Sequence, residues 1–397
     1  MTTFQTPSDA RIVDLRARFR WATDEQSFAG RIDWVLVGLA ALCSAFGALM
    51  VFSATRFNLQ RANLSETYYL QRQLIMLGLG IIACVVCTLV DYRRLLSFAP
   101  LLYIGSCIAL LAVRFVGAAT GGTTAWFQVG PLQFQPSEFA KVAFAICLAA
   151  YVANQRGPFT AQRRTSLLVL ASVPIGLVYL QGDLGTSLVF VAMLLAVVLV
   201  SGAKARHIGA LFAAAAILAV AAISLGVLKD YQIARLTVFA TQTDKGIGDT
   251  AKLTDDAYNL AQSKKAIGSG GILGKGLFEG PLTNLSYVPV QKSDFIFSAV
   301  GEQLGFVGSA GLILALGALM WRIWRISLRA RDHAGLLLCV ALLAMILFQT
   351  FQNIGMTIGI MPITGIPLPF VSYGGTALVA CWCAIGLVLN VGARRKV

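Results

Sequence analysis

Charge is what this sequence has least of: 13% of its residues are Asp, Glu, Lys or Arg, against roughly 25% in a soluble domain. Hydrophobic residues make up 57%, which excludes an ordinary water-facing surface and indicates a polytopic membrane protein. Histidine is nearly missing. The two present, His207 and His333, fall in loops assigned to the cytoplasmic side. A Ser/His/Asp hydrolase or a His-based zinc site on the opposite side is therefore disfavoured. No P-loop and no GxGxxG after a strand occurs, so nucleotide energy is not indicated. Internal repeats and low-complexity tracts are absent too. The first 33 residues lack an apolar core ahead of a small-residue cleavage site, so a cleaved signal peptide is not expected and the first span acts as its own insertion signal. All eight cysteines lie inside apolar runs. Cys84-Val-Val-Cys87 has CxxC spacing but no second ligand pair, and reads as packing residues. No disulfide is expected.

About ten apolar runs are long enough to cross ~30 Å of hydrocarbon. They centre on 34–54, 73–90, 97–117, 138–153, 166–181, 184–201, 208–228, 294–320, 334–358 and 371–391. The expected fold is an all-α polytopic integral membrane protein with about ten transmembrane helices. Residues 1–33 form a cytoplasmic N-terminal segment, 34–393 a single transmembrane domain with a long extracytoplasmic loop at 229–293, and 394–397 a cytoplasmic tail. The net charge of +14 is a topology signal and not a nucleic-acid signal. With the N-terminus inside, the basic clusters Arg93–Arg94, Arg322–Arg331 and Arg394–Lys396 all fall on one side. The short loops opposite hold only Arg56, Arg61 and Arg72. Both termini are expected in the cytoplasm.

Three segments on that opposite side are broken by Gly and Pro at membrane depth: 117–141, 181–186 and 359–375. Such backbone persists only inside protein or around a wet cavity, so the three are read as walls of one outward-facing cavity or, more plainly, as interhelical turns. In the first, Glu138 and Lys141 share a helix face, with Ser137 placed to cap that helix after Pro136. The pair is either a structural ion pair or a cation presented to a lipid-linked phosphate. In the second, Asp183 has the position of a helix N-cap, with a polar-cavity or metal role as the alternative. Asp294 stands where the long polar loop meets an apolar helix. An ionisable group there is a functional-site candidate by default, with a helix-dipole partner as the plain reading. Glu302 reads as satisfying a neighbouring helix, and Gly301 with Gly305 has GxxxG spacing for close helix contact.

These segments together resemble the SEDS proteins (shape, elongation, division and sporulation), the RodA/FtsW/SpoVE group of membrane peptidoglycan polymerases. The shared stretches are Phe134 to Lys141, Asp183 to Thr186, and Tyr258 to Ser263 followed by Ala266 to Gly276. Asp294-Phe-Ile-Phe with Gly301-Glu302, and Gly365 to Gly375, complete the set. Gly365-Ile-Pro-Leu-Pro is more like the RodA branch than the FtsW branch. The chain departs from the pattern at Ala125, Gly182, Val290 and Lys292, where the family often has Arg, Pro, Glu and His.

The resemblance implies a glycosyltransferase that polymerises lipid II on the outer face of the bacterial cytoplasmic membrane, in cell elongation and shape. It implies Asp294 as the essential acid. One carboxylate is chemically enough: the acceptor hydroxyl needs a base, and a lipid diphosphate leaves with cationic stabilisation alone. Lys141, Arg56, Arg72, Arg235 and Lys292 are the candidate diphosphate partners. Glu138, Trp126, Gln262, Ser263, Asp183, Ser372 and Tyr373 are the further substrate-binding candidates. The cofactor expected is none, or a divalent cation (Mg or Mn). Expected partners are lipid II with its growing glycan strand, a class B penicillin-binding protein transpeptidase and other elongation-complex membrane proteins. The rival readings are a flippase for the lipid-linked precursor and a non-catalytic scaffold.

Overall fold

The computed structural model describes residues 29–120, 123–129, 132–155, 161–202, 255–288 and 290–395, with the single positions 209 and 239. The expected span 208–228, apart from position 209, and Arg235 lie outside the described residues. The other nine expected spans are helices: α1 (Trp34–Arg61), α2 (Tyr68–Leu89), α4 (Ala99–Val116), α5 (Pro136–Ala153), α6 (Ala161–Leu180), α7 (Leu184–Val200), α10 (Ile296–Leu328), α11 (His333–Ile358) and α12 (Gly375–Ala393). Three more are short or lie in loops: α3 (Tyr92–Ser97), α8 (Asp255–Gly270) and α9 (Pro281–Asn284). Seven of these helices are long and apolar enough to cross a membrane, and two shorter apolar helices, Thr165–Leu180 and α7, accompany them.

The all-α expectation holds, with one small local addition of strand. Between α4 and α5 the chain forms an antiparallel meander of β1 (Ala118–Thr120), β2 (Thr123–Val129) and β3 (Leu132–Phe134), with Phe127 opposite Phe134. Threonine, valine and aromatic side chains in β2, bounded by Gly and Pro, favour extended backbone.

The helix α12 is the axis of the bundle. In its apolar window 89% of the residues are buried, against 17% in α4, which lies at the rim. It packs chiefly on α2, while α11 packs on α5, α7 and α10. Because the spans alternate in direction, one end of the bundle gathers the N-termini of α2, α5, α7, α10 and α12. All three Gly/Pro segments meet there, together with α8 and α9. A separate small core of Leu260, Ala266, Val288, Phe295, Met356 and Ile363 holds α8 and the 288–295 turn to the end of α11. The opposite end is clasped by polar bonds. Tyr92 donates to Asp332 (2.7 Å), Arg93 pairs with the same carboxylate (3.2 Å) and Arg394 pairs with Asp91 (3.4 Å).

GxxxG spacing is a misleading guide at Gly305. That residue interrupts α10 with φ 62° and ψ −159°, values that only glycine tolerates readily. Backbone from the preceding loop fills the gap: Lys275 and Gly276 donate to the carbonyls of Glu302 and Gln303 (both 3.0 Å), and Phe306 and Val307 donate to Gly271 and Ile272. A Cβ at position 305 would lie 2.3 Å from the Gly274 nitrogen. The close contact is therefore helix against loop, and only Gly301 keeps the helix-packing role, against Ile267 of α8.

Candidate functional site

Asp294 sits in a turn just ahead of α10, whose cap is Phe295; the helix begins later than the apolar run suggests. Three successive carbonyls of that turn are bonded by α11 and the segment that follows it. Lys292 O accepts from the Tyr373 amide (2.8 Å), Ser293 O from the Ser372 hydroxyl (2.5 Å) and Asp294 O from the Asn353 amide side chain (2.8 Å). Asn353 is wholly buried on α11 and also donates to Ile366 O at 2.8 Å. Ser372 in turn accepts from Leu368 N at 2.9 Å. The carboxylate itself looks onto Gly365, where a Cβ would lie 3.4 Å from its oxygen. Space would allow that atom, but φ +71° at Gly365 disfavours any side chain. The buried Phe370 also has positive φ, +66°, and residues held in sparse backbone regions cluster where geometry matters.

Sequence reading did not single out Asn353. Its signal was available: a run of Gln349, Thr350, Gln352 and Asn353 inside an otherwise apolar span, all buried, is costly in lipid unless the groups find partners. Asn353→Leu removes the side-chain bonds to the Asp294 and Ile366 carbonyls, and a buried polar group that loses its bond costs about 1–3 kcal/mol. We expect a lower unfolding temperature in detergent and a loss of activity larger than that destabilisation explains.

Cations surround the turn unequally. The Lys292 ammonium lies 3.7 Å from the Tyr69 ring centroid and 5.8 Å from that of Tyr373, and the Arg72 guanidinium lies 4.3 Å over Tyr68. The three tyrosines form one edge-to-face cluster, with Tyr69 5.2 Å from Tyr68 and 5.1 Å from Tyr373. Burial pushes the Tyr373 hydroxyl up from its ordinary value, and the nearby Arg72 opposes that push. Arg56 is held between the rings of Phe57 (4.6 Å) and Phe278 (4.4 Å).

Lys141 and Glu138 form a 2.8 Å ion pair with side chains only 1% and 3% exposed. The Ser137 cap is a correction. Pro136 takes the first helical position, which proline favours, so Gln135 becomes the cap and the buried Ser137 hydroxyl has no partner among the described residues. Asp183 does cap its helix, accepting from the Thr186 amide (2.9 Å) and hydroxyl (2.7 Å), with Gln135 at 3.2 Å. Glu302 holds a neighbouring element as expected. It accepts from the amides of Leu282 and Thr283 (both 2.8 Å) and from the Thr283 hydroxyl, closing the N-terminus of α9.

The remaining candidates are held by their own elements. Ser263 is fully buried and donates to Thr357 O at 2.9 Å, which ties α8 to α11. Gln262 is buried beside it. Trp126 lies half-buried on β2, paired with Ala118 of β1. Among the described residues no three His, Cys, Asp or Glu side chains converge as a metal cluster.

Comparison with known proteins now adds to this geometry. The cell cycle protein family of FtsW, RodA and SpoVE matches residues 33–397. The peptidoglycan glycosyltransferase MrdB of Escherichia coli K12 is 34% identical over 352 residues, 88% of this chain and 92% of the relative. Stage V sporulation protein E of Bacillus subtilis 168 is 32% identical over 364 residues, covering 90% and 96%. Among solved structures, a peptidoglycan synthase complex described by its coordination of polymerization and crosslinking aligns with TM-score 0.76 and 31% identity over 91% of this chain and 97% of that one. The rod shape determining protein RodA of Thermus thermophilus aligns with TM-score 0.67 and 31% identity, over 92% and 97%. With nine apolar helices in the expected order and these relatives along most of its length, the chain belongs to the FtsW/RodA/SpoVE family.

Proposed function

We propose that this protein is a peptidoglycan glycosyltransferase that polymerises lipid II into glycan strands, with Asp294 as its general base. The observation that carries the reading is the turn of Asp294, pinned through three successive carbonyls beside cations on a tyrosine cluster. Fixed geometry is what a base requires, because proton transfer needs the acid and base within hydrogen-bond reach. In the proposed step Asp294 takes the proton of the acceptor sugar hydroxyl. The new C–O bond forms at the anomeric carbon of the donor as the bond to its lipid diphosphate breaks, with inversion. The departing diphosphate is stabilised by cations and needs no proton. Lys141, Arg56, Arg72, Arg235 and Lys292 are the cations proposed for it, and Trp126, Gln262, Asp183, Glu138, Ser372 and Tyr373 the wider set around the substrate.

A single carboxylate suits Mg²⁺ when substrate phosphates complete the coordination, since that ion typically takes one or two carboxylates with phosphates and waters. Asp294 is the residue that would hold it, and the ion would add positive charge against the diphosphate. The steps above use only this chain's own groups.

Purified protein given labelled lipid II should yield polymer. A preparation that translocates lipid II across vesicles without polymerising it would favour the flippase reading, and one that does neither the scaffold reading. The mechanism also needs the Asp294 end to face away from the cytoplasm. In a background stripped of native cysteines, Leu285→Cys and Arg331→Cys place exposed probes at the two ends. A membrane-impermeant maleimide on spheroplasts should label position 285 and spare 331; the reverse would put Asp294 in the cytoplasm. We further propose a class B penicillin-binding protein transpeptidase as membrane partner, in line with the peptidoglycan synthase complex among the structural relatives.

A further inference from the structure

The candidate cations at the site differ in how far their charge is already answered. Lys141 is sealed against Glu138. Arg56 has its flat faces covered by Phe57 and Phe278. Lys292 and Arg72 are half-buried, and among the described residues neither is ion-paired with a carboxylate. Both rest on the faces of one tyrosine cluster. Lys292 stands two positions from Asp294, and its backbone carbonyl is bonded to Tyr373 N, so the stem is rooted while the ammonium remains free to turn.

We propose that Lys292 and Arg72 together seat the diphosphate of the lipid-linked donor, with the Lys292 ammonium leaving the Tyr69 ring to meet it. This rests on the polymerase reading and names the subsite of its leaving group. A cation over a tyrosine ring is held weakly, whereas its hydrogen bond to a phosphate oxygen is charge-assisted and stronger. The exchange is therefore favourable, and the ring keeps the ammonium partly desolvated and close by. Two cations on adjoining faces match the two linked phosphates of a diphosphate better than a single carboxylate. Arg72 and Lys292 also come from different segments, α2 and the turn before α10, so a bound diphosphate bridges them.

The test is direct binding in detergent, with a long-chain polyprenyl diphosphate and the matching polyprenyl alcohol as probes, read by thermal shift and by equilibrium titration. Wild-type protein should bind the diphosphate at least tenfold more tightly than the alcohol, with an affinity that falls as salt rises. Lys292→Met and Arg72→Met should each weaken diphosphate binding about 10–100-fold, as loss of a charge-assisted bond does, and leave alcohol binding unchanged. Lys292→Arg, which keeps the charge, should retain most of the affinity. Ligand-free unfolding of each variant checks the fold, and Lys292→Gln replaces Lys292→Met if the latter unfolds. Wild-type diphosphate affinity in the methionine or glutamine variants would overturn the seat, as would equal binding of diphosphate and alcohol by the wild type. Polymerisation of lipid II by the same wild-type preparation is scored separately: its failure overturns the polymerase reading, whatever the binding result.

Discussion

Replacing Asp294 with asparagine is expected to cut lipid II polymerisation by about 10²–10⁴-fold, the contribution of a positioned general base. Asparagine matches the aspartate in size and removes only the basic oxygen. The turn should survive the change, because its three anchors are backbone carbonyls held by Tyr373, Ser372 and Asn353. Unfolding temperature and membrane insertion of the variant should therefore equal those of the wild type. Polymer yield is the measurement that checks the role, and near-normal yield from well-folded Asp294→Asn would remove Asp294 from the chemistry.

Lys141→Met is expected to act on the fold first. The substitution leaves the Glu138 carboxylate in a site where its side chain is 3% exposed. Removing one partner of a buried pair costs about 3–5 kcal/mol, because the other charge is left uncompensated. The double variant Glu138→Gln with Lys141→Met removes both charges at similar volume and should regain most of the lost stability. Thermal unfolding in detergent reads that recovery. Polymerisation by the recovered double variant then separates the roles: full activity makes the pair purely structural, and low activity on a restored fold assigns Lys141 to the substrate.

Much of the architecture is legible in sequence because lipid imposes a simple rule on length and polarity. Nine runs became nine helices for that reason. Asp183 was equally readable, since a cap bonds its own next turn and needs no distant partner. Local signals that compete were harder. Ser137 has a capping side chain, but Pro136 takes the first helical position and moves the cap back to Gln135. Gly301 and Gly305 share one spacing, yet the second breaks its helix because a loop thirty residues earlier inserts its backbone there. Asn353 lies 59 residues beyond Asp294, across the whole of α10 and most of α11, and sequence distance hides a bond that only the packed bundle creates. The cation cluster was legible as residue types and not as a grouping. Arg72 and Lys292 are separated by most of the chain, and Tyr69 drew no notice until its ring lay under an ammonium.

Backbone carbonyls hold the Asp294 turn, and this has a consequence for how the family varies. A carbonyl is the same whatever side chain stands beside it, so positions 292 and 293 can change identity without shifting the aspartate that follows. Selection is then free to explore the chemistry on either side of a fixed acid. Lys292, at a position where the resemblance to the family leads one to expect histidine, is such a case: the clamp on its carbonyl from Tyr373 is indifferent to the side chain. Constraint falls instead on Ser372 and Asn353, whose side chains make the bonds. Substitutions at 292 and 293 should therefore leave the turn in place, those at 292 acting only through the charge they present beside Asp294, whereas substitutions at 353 and 372 should move the turn itself.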